Sequence, residues 1–242
     1  MKRVPTAELL DLDSGTPSAI ALALRDLDHI NRWFGGISTS QALVMQVAQS
    51  AGLHRITMLE VAAGSGNTSR AVQRRLSQRG FRMDLTLLDR APSHLASGSD
   101  HGSCNGPHDG PRPPMVPVVA GDALTLPFGD NSFDVVSSNL FVHHLTPKQT
   151  EQFIREGLRV CRHALVINDV SRSWLHLGLV YLGLPLFRSR ITWNDAPASV
   201  RQAYRPKEIE ALLTQSSACG VDVRSRFLFR MGAIAWKSRV EA

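Results

Sequence analysis

The run LEVAAGSGNTSRAV, Leu59 to Val72, most constrains what this chain can become. It joins a short apolar stretch, ITMLEV at Ile56 to Val61, to a helical pattern from about Asn67 to Gly80. A strand entering a glycine loop that opens a helix is a ligand-binding unit, whereas glycines outside that context are often chance. Gly64 and Gly66 let the backbone turn and approach a ligand, and the helix start offers unsatisfied N–H groups and a positive dipole end. Glu60, at the strand tip, is an acceptor for a ligand hydroxyl or ammonium. The GxGxxG spacing of dinucleotide-binding loops is not met, because AAGSGNTS lacks the third glycine.

The strand signal recurs at Met83–Asp89, Val116–Asp122, Ser132–Leu140 and His163–Asp169, with helical patterns between. Near-continuous apolar strands alternating with helices predict a parallel sheet covered on both faces. Thr146-Pro147-Lys148-Gln149 is a capping-box signature that starts a helix burying Phe153, Ile154 and Leu158. Val221–Phe229 and Arg230–Trp236 read as a closing pair of strands. Asp89 ends the second strand, where it can accept two hydrogen bonds from a ribose diol, and Asp122 ends the third, where it can read an exocyclic amine. With Glu60, these acids sit at strand carboxyl ends, where open α/β sheets bind ligands.

The stretch from Leu59 to Asp169, including LPFGDNSFDVV at Leu126–Val136, resembles the class I S-adenosylmethionine-dependent methyltransferases, particularly the quinone-biosynthesis and natural-product group. The resemblance implies a Rossmann-like, seven-stranded, mostly parallel sheet with a final reversed strand. It implies S-adenosyl-L-methionine as cofactor, with Glu60, Gly64 and Gly66 at the methionine part, Asp89 at the ribose and Asp122 at the adenine. Ala62, Ala63, Asn67, Arg90, Ala123 and Asn139 join the expected cofactor shell. Two departures stand out: Ala62 replaces the usual first loop glycine, and Cys161-Arg162-His163 replaces the glycine pair before the fifth strand.

SNLFVHHL places His143 and His144 at the mouth of the expected site, where a histidine can remove a proton from a phenol or activated carbon. We therefore expect them as the catalytic candidates. The apolar stretch after the fifth strand predicts a lid whose inner face forms an acceptor pocket, with Trp174, Tyr181, Phe187 and Trp193 as walls and Asp169 and Arg172 as polar markers. Asn31, Arg32 and Trp33 close the same pocket from the N-terminal helices. The expected organisation is a helical lid segment over 1–54 and a Rossmann-like domain over 55–242. That domain carries a flexible loop at 97–114 and the apolar lid at 170–205.

The formal net charge of +6 raises the prospect of a nucleic-acid partner, but the basic residues are scattered and no aromatics interleave with them for base stacking. SNLF also stands where amino-methylating nucleic-acid enzymes carry an NPPY-like tetrapeptide. The expected acceptor is thus a small lipophilic or aromatic molecule, methylated on oxygen or carbon, with no nucleic acid and no integral membrane association. A nucleic-acid methyltransferase and a non-catalytic cofactor-binding module are the alternatives. His101, Cys104, His108 and Asp109 match no zinc spacing, so no metal is expected. Three separated cysteines and an N-terminus without an apolar core favour a cytoplasmic location.

Overall fold

A computed structural model describes residues 1–11, 15–90 and 116–237. The expected 97–114 loop lies outside the described residues.

Two helices precede the first strand. α1 spans Pro17–Trp33, with Pro17 in its first turn and Thr16 capping it by accepting the Ala19 N–H at 3.3 Å. α2 spans Gly36–Ser50. The Gly35-Gly36 pair explains its close approach to α1. Gly35 is left-handed at φ 77°, and a side chain there would collide with the Phe227 carbonyl, while one at Gly36 would collide with Asn31. The glycines therefore allow α2 to start within two residues of the end of α1.

β1 (Arg55–Val61), α3 (Asn67–Ser77), β2 (Arg82–Asp89), β3 (Val118–Ala120) and β4 (Phe133–Asn139) follow. α4 (Pro147–Val160) opens on the expected capping box: Thr146 N–H donates to Gln149 Oε1 at 2.9 Å, and Gln149 N–H donates to Thr146 Oγ1. β5 (Cys161–Val170) follows it without a loop, because Cys161 is already extended where the resemblance has a glycine turn. α5 (Trp174–Gly183), α6 (Arg190–Gln202), α7 (Pro206–Thr214), β6 (Gly220–Arg226) and β7 (Arg230–Trp236) complete the described chain.

The seven strands form one sheet in the order β3-β2-β1-β4-β5-β7-β6. β1 to β5 are mutually parallel and β7 runs antiparallel to both neighbours, as expected. Alternation along the strands splits the core. Ile56, Met58, Val135 and Val166 pack with Leu43, Val47, Val72 and Leu76 of α2 and α3. Leu59, Val61, Val136 and Ile167 pack with Phe153 and Ile154 of α4 and Ile209 and Leu213 of α7. A smaller cluster of Ile20, Ala23, Leu24 and Ile191 joins α1 to α6 above the sheet's carboxyl edge. No helix among the described residues is long and apolar enough to cross a membrane.

Candidate active site

The strand carboxyl ends and the helices above them enclose a cavity of about 960 Å³, at the upper end of the range for small-molecule sites. One side is the glycine loop. Gly64 is left-handed at φ 53°, and a side chain there would meet nothing within 4 Å, so the cavity abuts bare backbone. Gly66, left-handed at φ 70°, caps α3 behind the cavity wall, where a side chain would strike Leu87. Ala62 also takes positive φ, 55°, although it carries a Cβ. Of the four non-glycine residues with positive φ among those described, Ala62, Leu140 and Phe229 line the cavity. Left-handed backbone costs a side-chain-bearing residue about 1–2 kcal/mol, so strain is concentrated around this site.

Glu60 is buried at the β1 tip, and burial pushes its carboxyl up to about 7 even though the hydroxyls of Ser137 and Ser69 oppose the shift. Asp89 Oδ2 accepts the Gly64 N–H at 2.7 Å, tying the β2 end to the glycine loop. Asp122 is exposed at the rim and accepts the Leu124 N–H at 2.9 Å. Glu60, Ala62, Ala63, Gly64, Asp89 and Arg90 line one continuous wall, which Asp122, Ala123 and Asn139 extend. Asn67 stands apart: it begins α3 and its side-chain amide donates to Asp28 Oδ2 at 2.6 Å.

His143 and His144 follow β4 in a short 3-10 turn on the opposite wall. His143 Nδ1–H donates to Asp169 Oδ1 at 2.7 Å, while Nε2 lies 3.4 Å from Glu8 Oε1. Burial disfavours its charge, yet these two carboxylates raise its pKa to about 10. The raised pKa favours the imidazolium, which weighs against His143 in the expected role of general base. His144 is less buried, with Nδ1 2.6 Å from Asp11 Oδ2. Glu8, His143 and His144 bring donor atoms within 4.8 Å of one another.

The acceptor side differs from expectation. Trp33 and Phe187 reach the cavity wall, but Trp174, Tyr181 and Trp193 do not. Trp174 is 70% exposed, Tyr181 accepts a hydrogen bond from Arg201 on the surface, and Trp193 donates to the Phe187 carbonyl. Only one side of α5 can face inward, and Leu179, Val180 and Gly183 occupy it. Asp169 is buried on His143. Arg172 is buried on the Ala203 carbonyl and Glu208, and Arg32 points outward at the end of α1. None of these three lines the cavity.

Several residues at the site went unmarked in the sequence. Glu8 and Asp11 reach the histidines from the N-terminal segment, and no spacing pattern links them. His176 lines the cavity, stacks on Phe229 at 4.8 Å, and donates from Nδ1 to the Ser171 carbonyl, leaving Nε2 as its basic nitrogen. Burial and the nearby Arg230 lower its pKa, so it is neutral near pH 7.

A cavity at the carboxyl edge of a sheet in this order, with a glycine loop after β1 and acids at or just past the ends of β1, β2 and β3, is the architecture typical of class I methyltransferases. Residues 59–164 of this chain match the family model described as a methyltransferase domain, and the chain is distantly similar to quinone-biosynthesis C-methyltransferases over part of their length. The ubiquinone/menaquinone biosynthesis C-methyltransferase UbiE of Laribacter hongkongensis is 30% identical over 57% of this chain and 59% of its own length. That of Chromobacterium violaceum is 29% identical over 63% of this chain and 66% of its own. The matches therefore span about 59–66% of these relatives' length. Among solved structures, a SAM-dependent methyltransferase from Aquifex aeolicus superposes with TM-score 0.59 at 17% identity, covering 93% of this chain and all of that one. The plantazolicin methyltransferase BpumL, in complex with a monoazolic desmethylPZN analog and SAH, gives 0.62 at 12% identity, covering 95% of this chain and 91% of that one. At these identities the structural likeness concerns the fold alone.

Proposed function

We propose that this protein transfers the methyl group of S-adenosylmethionine to an oxygen or carbon of a small, largely apolar acceptor. The observation that carries the reading is one cavity whose two halves differ in chemistry. Glu60, Gly64, Asp89 and Asp122 form a polar half fitted to an amino-acid nucleoside, and Leu24, Leu27, Leu179, Phe187 and Ile191 form an apolar half under the helices. When bound, the cofactor supplies an electrophilic methyl group on a sulfonium, so alignment of the acceptor accounts for much of the catalysis.

In this reading Glu60 holds the cofactor's ammonium, Asp89 the ribose diol and Asp122 the adenine amine, and bare backbone at Gly64 admits the chain between them. α1, α5 and α6 act as the cover that keeps water from the sulfonium. Where the acceptor must lose a proton, His176 Nε2 and His144 stand on the cavity wall to receive it, while the two carboxylates beside His143 favour its protonated form.

Incubation with methyl-labelled cofactor and panels of phenols, quinones and lipid extracts tests the reading. Label in a small molecule supports it; label only in RNA or protein overturns it. Asp89→Ala is expected to weaken S-adenosylhomocysteine binding at least tenfold in calorimetry, because each hydrogen bond to a charged group contributes about 1.5–3 kcal/mol. Gly64→Arg is expected to abolish binding by filling the crevice.

A further inference from the structure

Arg230 is the largest fully buried side chain of the described protein, 2% exposed, at the start of β7 beside the end of β5. It lines the cavity. Its guanidinium donates from Nε to the Phe34 carbonyl at 3.3 Å, from Nη2 to Asn31 Oδ1 at 2.8 Å and from Nη1 to Asn139 Oδ1 at a long 3.5 Å. All three partners are neutral. Among the described residues no carboxylate pairs with it, and Asp169, the acid that bears on its charge, is occupied by His143. A buried cation without a counterion is expensive, and a guanidinium offers five donors of which three are engaged here. The neighbouring Asn139 and Asn31 also present amide groups, Asn139 Nδ2 donating to Asn31 Oδ1 at 3.4 Å.

From this geometry we infer that Arg230, oriented by Asn31 and Asn139, is a carboxylate-binding site in the cavity, which the ligand completes by bringing the missing negative charge. The inference rests on the methyltransferase reading, in which two carboxylates can reach this point. One is an acidic group on the acceptor, which would make the acceptor an aromatic or acyl acid whose apolar body lies against Leu179, Phe187 and Phe229. The other is the amino-acid carboxylate of the cofactor. A planar fork of donors favours a carboxylate over a phenolate or carbonyl, because it can be bound bidentately.

Calorimetric titration separates the two sources. On the cofactor side the probes are S-adenosylhomocysteine and 5′-methylthioadenosine, which lacks the amino-acid part. On the acceptor side they are hydroxybenzoate and hydroxynaphthoate against the corresponding amides, with and without S-adenosylhomocysteine. If the acceptor supplies the charge, the wild type prefers the acids roughly ten- to hundredfold and Arg230→Met removes the preference. If the cofactor supplies it, Arg230→Met weakens S-adenosylhomocysteine by a similar factor and leaves 5′-methylthioadenosine unchanged; Arg230→Lys retains part of either effect. Unaltered discrimination in Arg230→Met overturns the site. Should that variant fail to fold, a wild type that prefers neither the acids nor S-adenosylhomocysteine over its truncated analogue overturns it equally. Failure of the wild type to bind either nucleoside sinks the methyl-donor reading alone, because the acid and amide titrations without nucleoside still decide the carboxylate site.

Discussion

Glu60 ends β1 in a place that water barely reaches, and burial holds its carboxyl near pKa 7. A cationic ligand group beside it must therefore wait for a proton to leave. If Glu60 holds the cofactor's ammonium, S-adenosylhomocysteine affinity rises as pH increases through about 7, and Glu60→Gln flattens that profile; parallel calorimetric profiles for the two proteins would remove Glu60 from the site. Two residues on, Ala62 holds φ 55° with a methyl group that this conformation disfavours. Ala62→Gly is expected to stabilise the fold by about 1 kcal/mol, read as a rise of roughly 2–4 °C in melting temperature. Cofactor affinity should not fall, because a smaller residue at a cavity-lining position obstructs nothing. The loop acids were legible in sequence because glycines and strand ends carry a local pattern. Glu8 and Asp11 were not, since they meet the histidines across more than a hundred residues of chain.

At the scale of elements, the cover over the cavity is held by carboxylates that accept backbone N–H groups from neighbouring segments. Asp26 in α1 accepts from Arg188 at 3.1 Å and Ser189 at 2.9 Å, just before α6, and Asp195 in α6 accepts from Leu9 and Leu10. Asp26→Ala leaves the buried Ser189 N–H without its acceptor, at a cost of about 1–3 kcal/mol, and should raise hydrogen exchange at Arg188 and Ser189 while the sheet amides stay protected. Exchange unchanged at those two amides would show that other contacts hold the segment. The helices and strands themselves were readable: α4 from its capping box, and β1, β2, β4 and β5 from their apolar runs. The direction of α5 was not. Its residues are apolar nearly all round, so nothing in the sequence distinguished the inward Leu179 and Val180 from the outward Trp174 and Leu182.

For the whole molecule, the Asp169–His143–Glu8 arrangement joins β5, the segment after β4 and the N-terminal residues into one charged contact. The folded state raises the His143 pKa from its ordinary 6.5 to about 10, so it binds a proton that the unfolded chain releases between those values. That contribution is complete below about pH 6.5 and is lost as pH climbs toward about 10. Urea unfolding at pH 6.5 and 9.5 should show this decline. Asp169→Asn should destabilise the protein by about 3–5 kcal/mol at the lower pH and flatten the decline. A wild-type stability that does not fall over this interval would mean that His143 is neutral in the folded state.

The sequence by itself determined the sheet, its glycine loop and the three strand-end acids, because hydrophobic period and turn chemistry act over neighbouring residues. Only the tertiary structure decided which histidine stands between two carboxylates, which aromatic side chains face the cavity, and that Arg230 stands buried among neutral partners. Those properties arise where segments distant in sequence exclude water together, and a side chain's charge and orientation there depend on surroundings that its own neighbours in sequence do not specify.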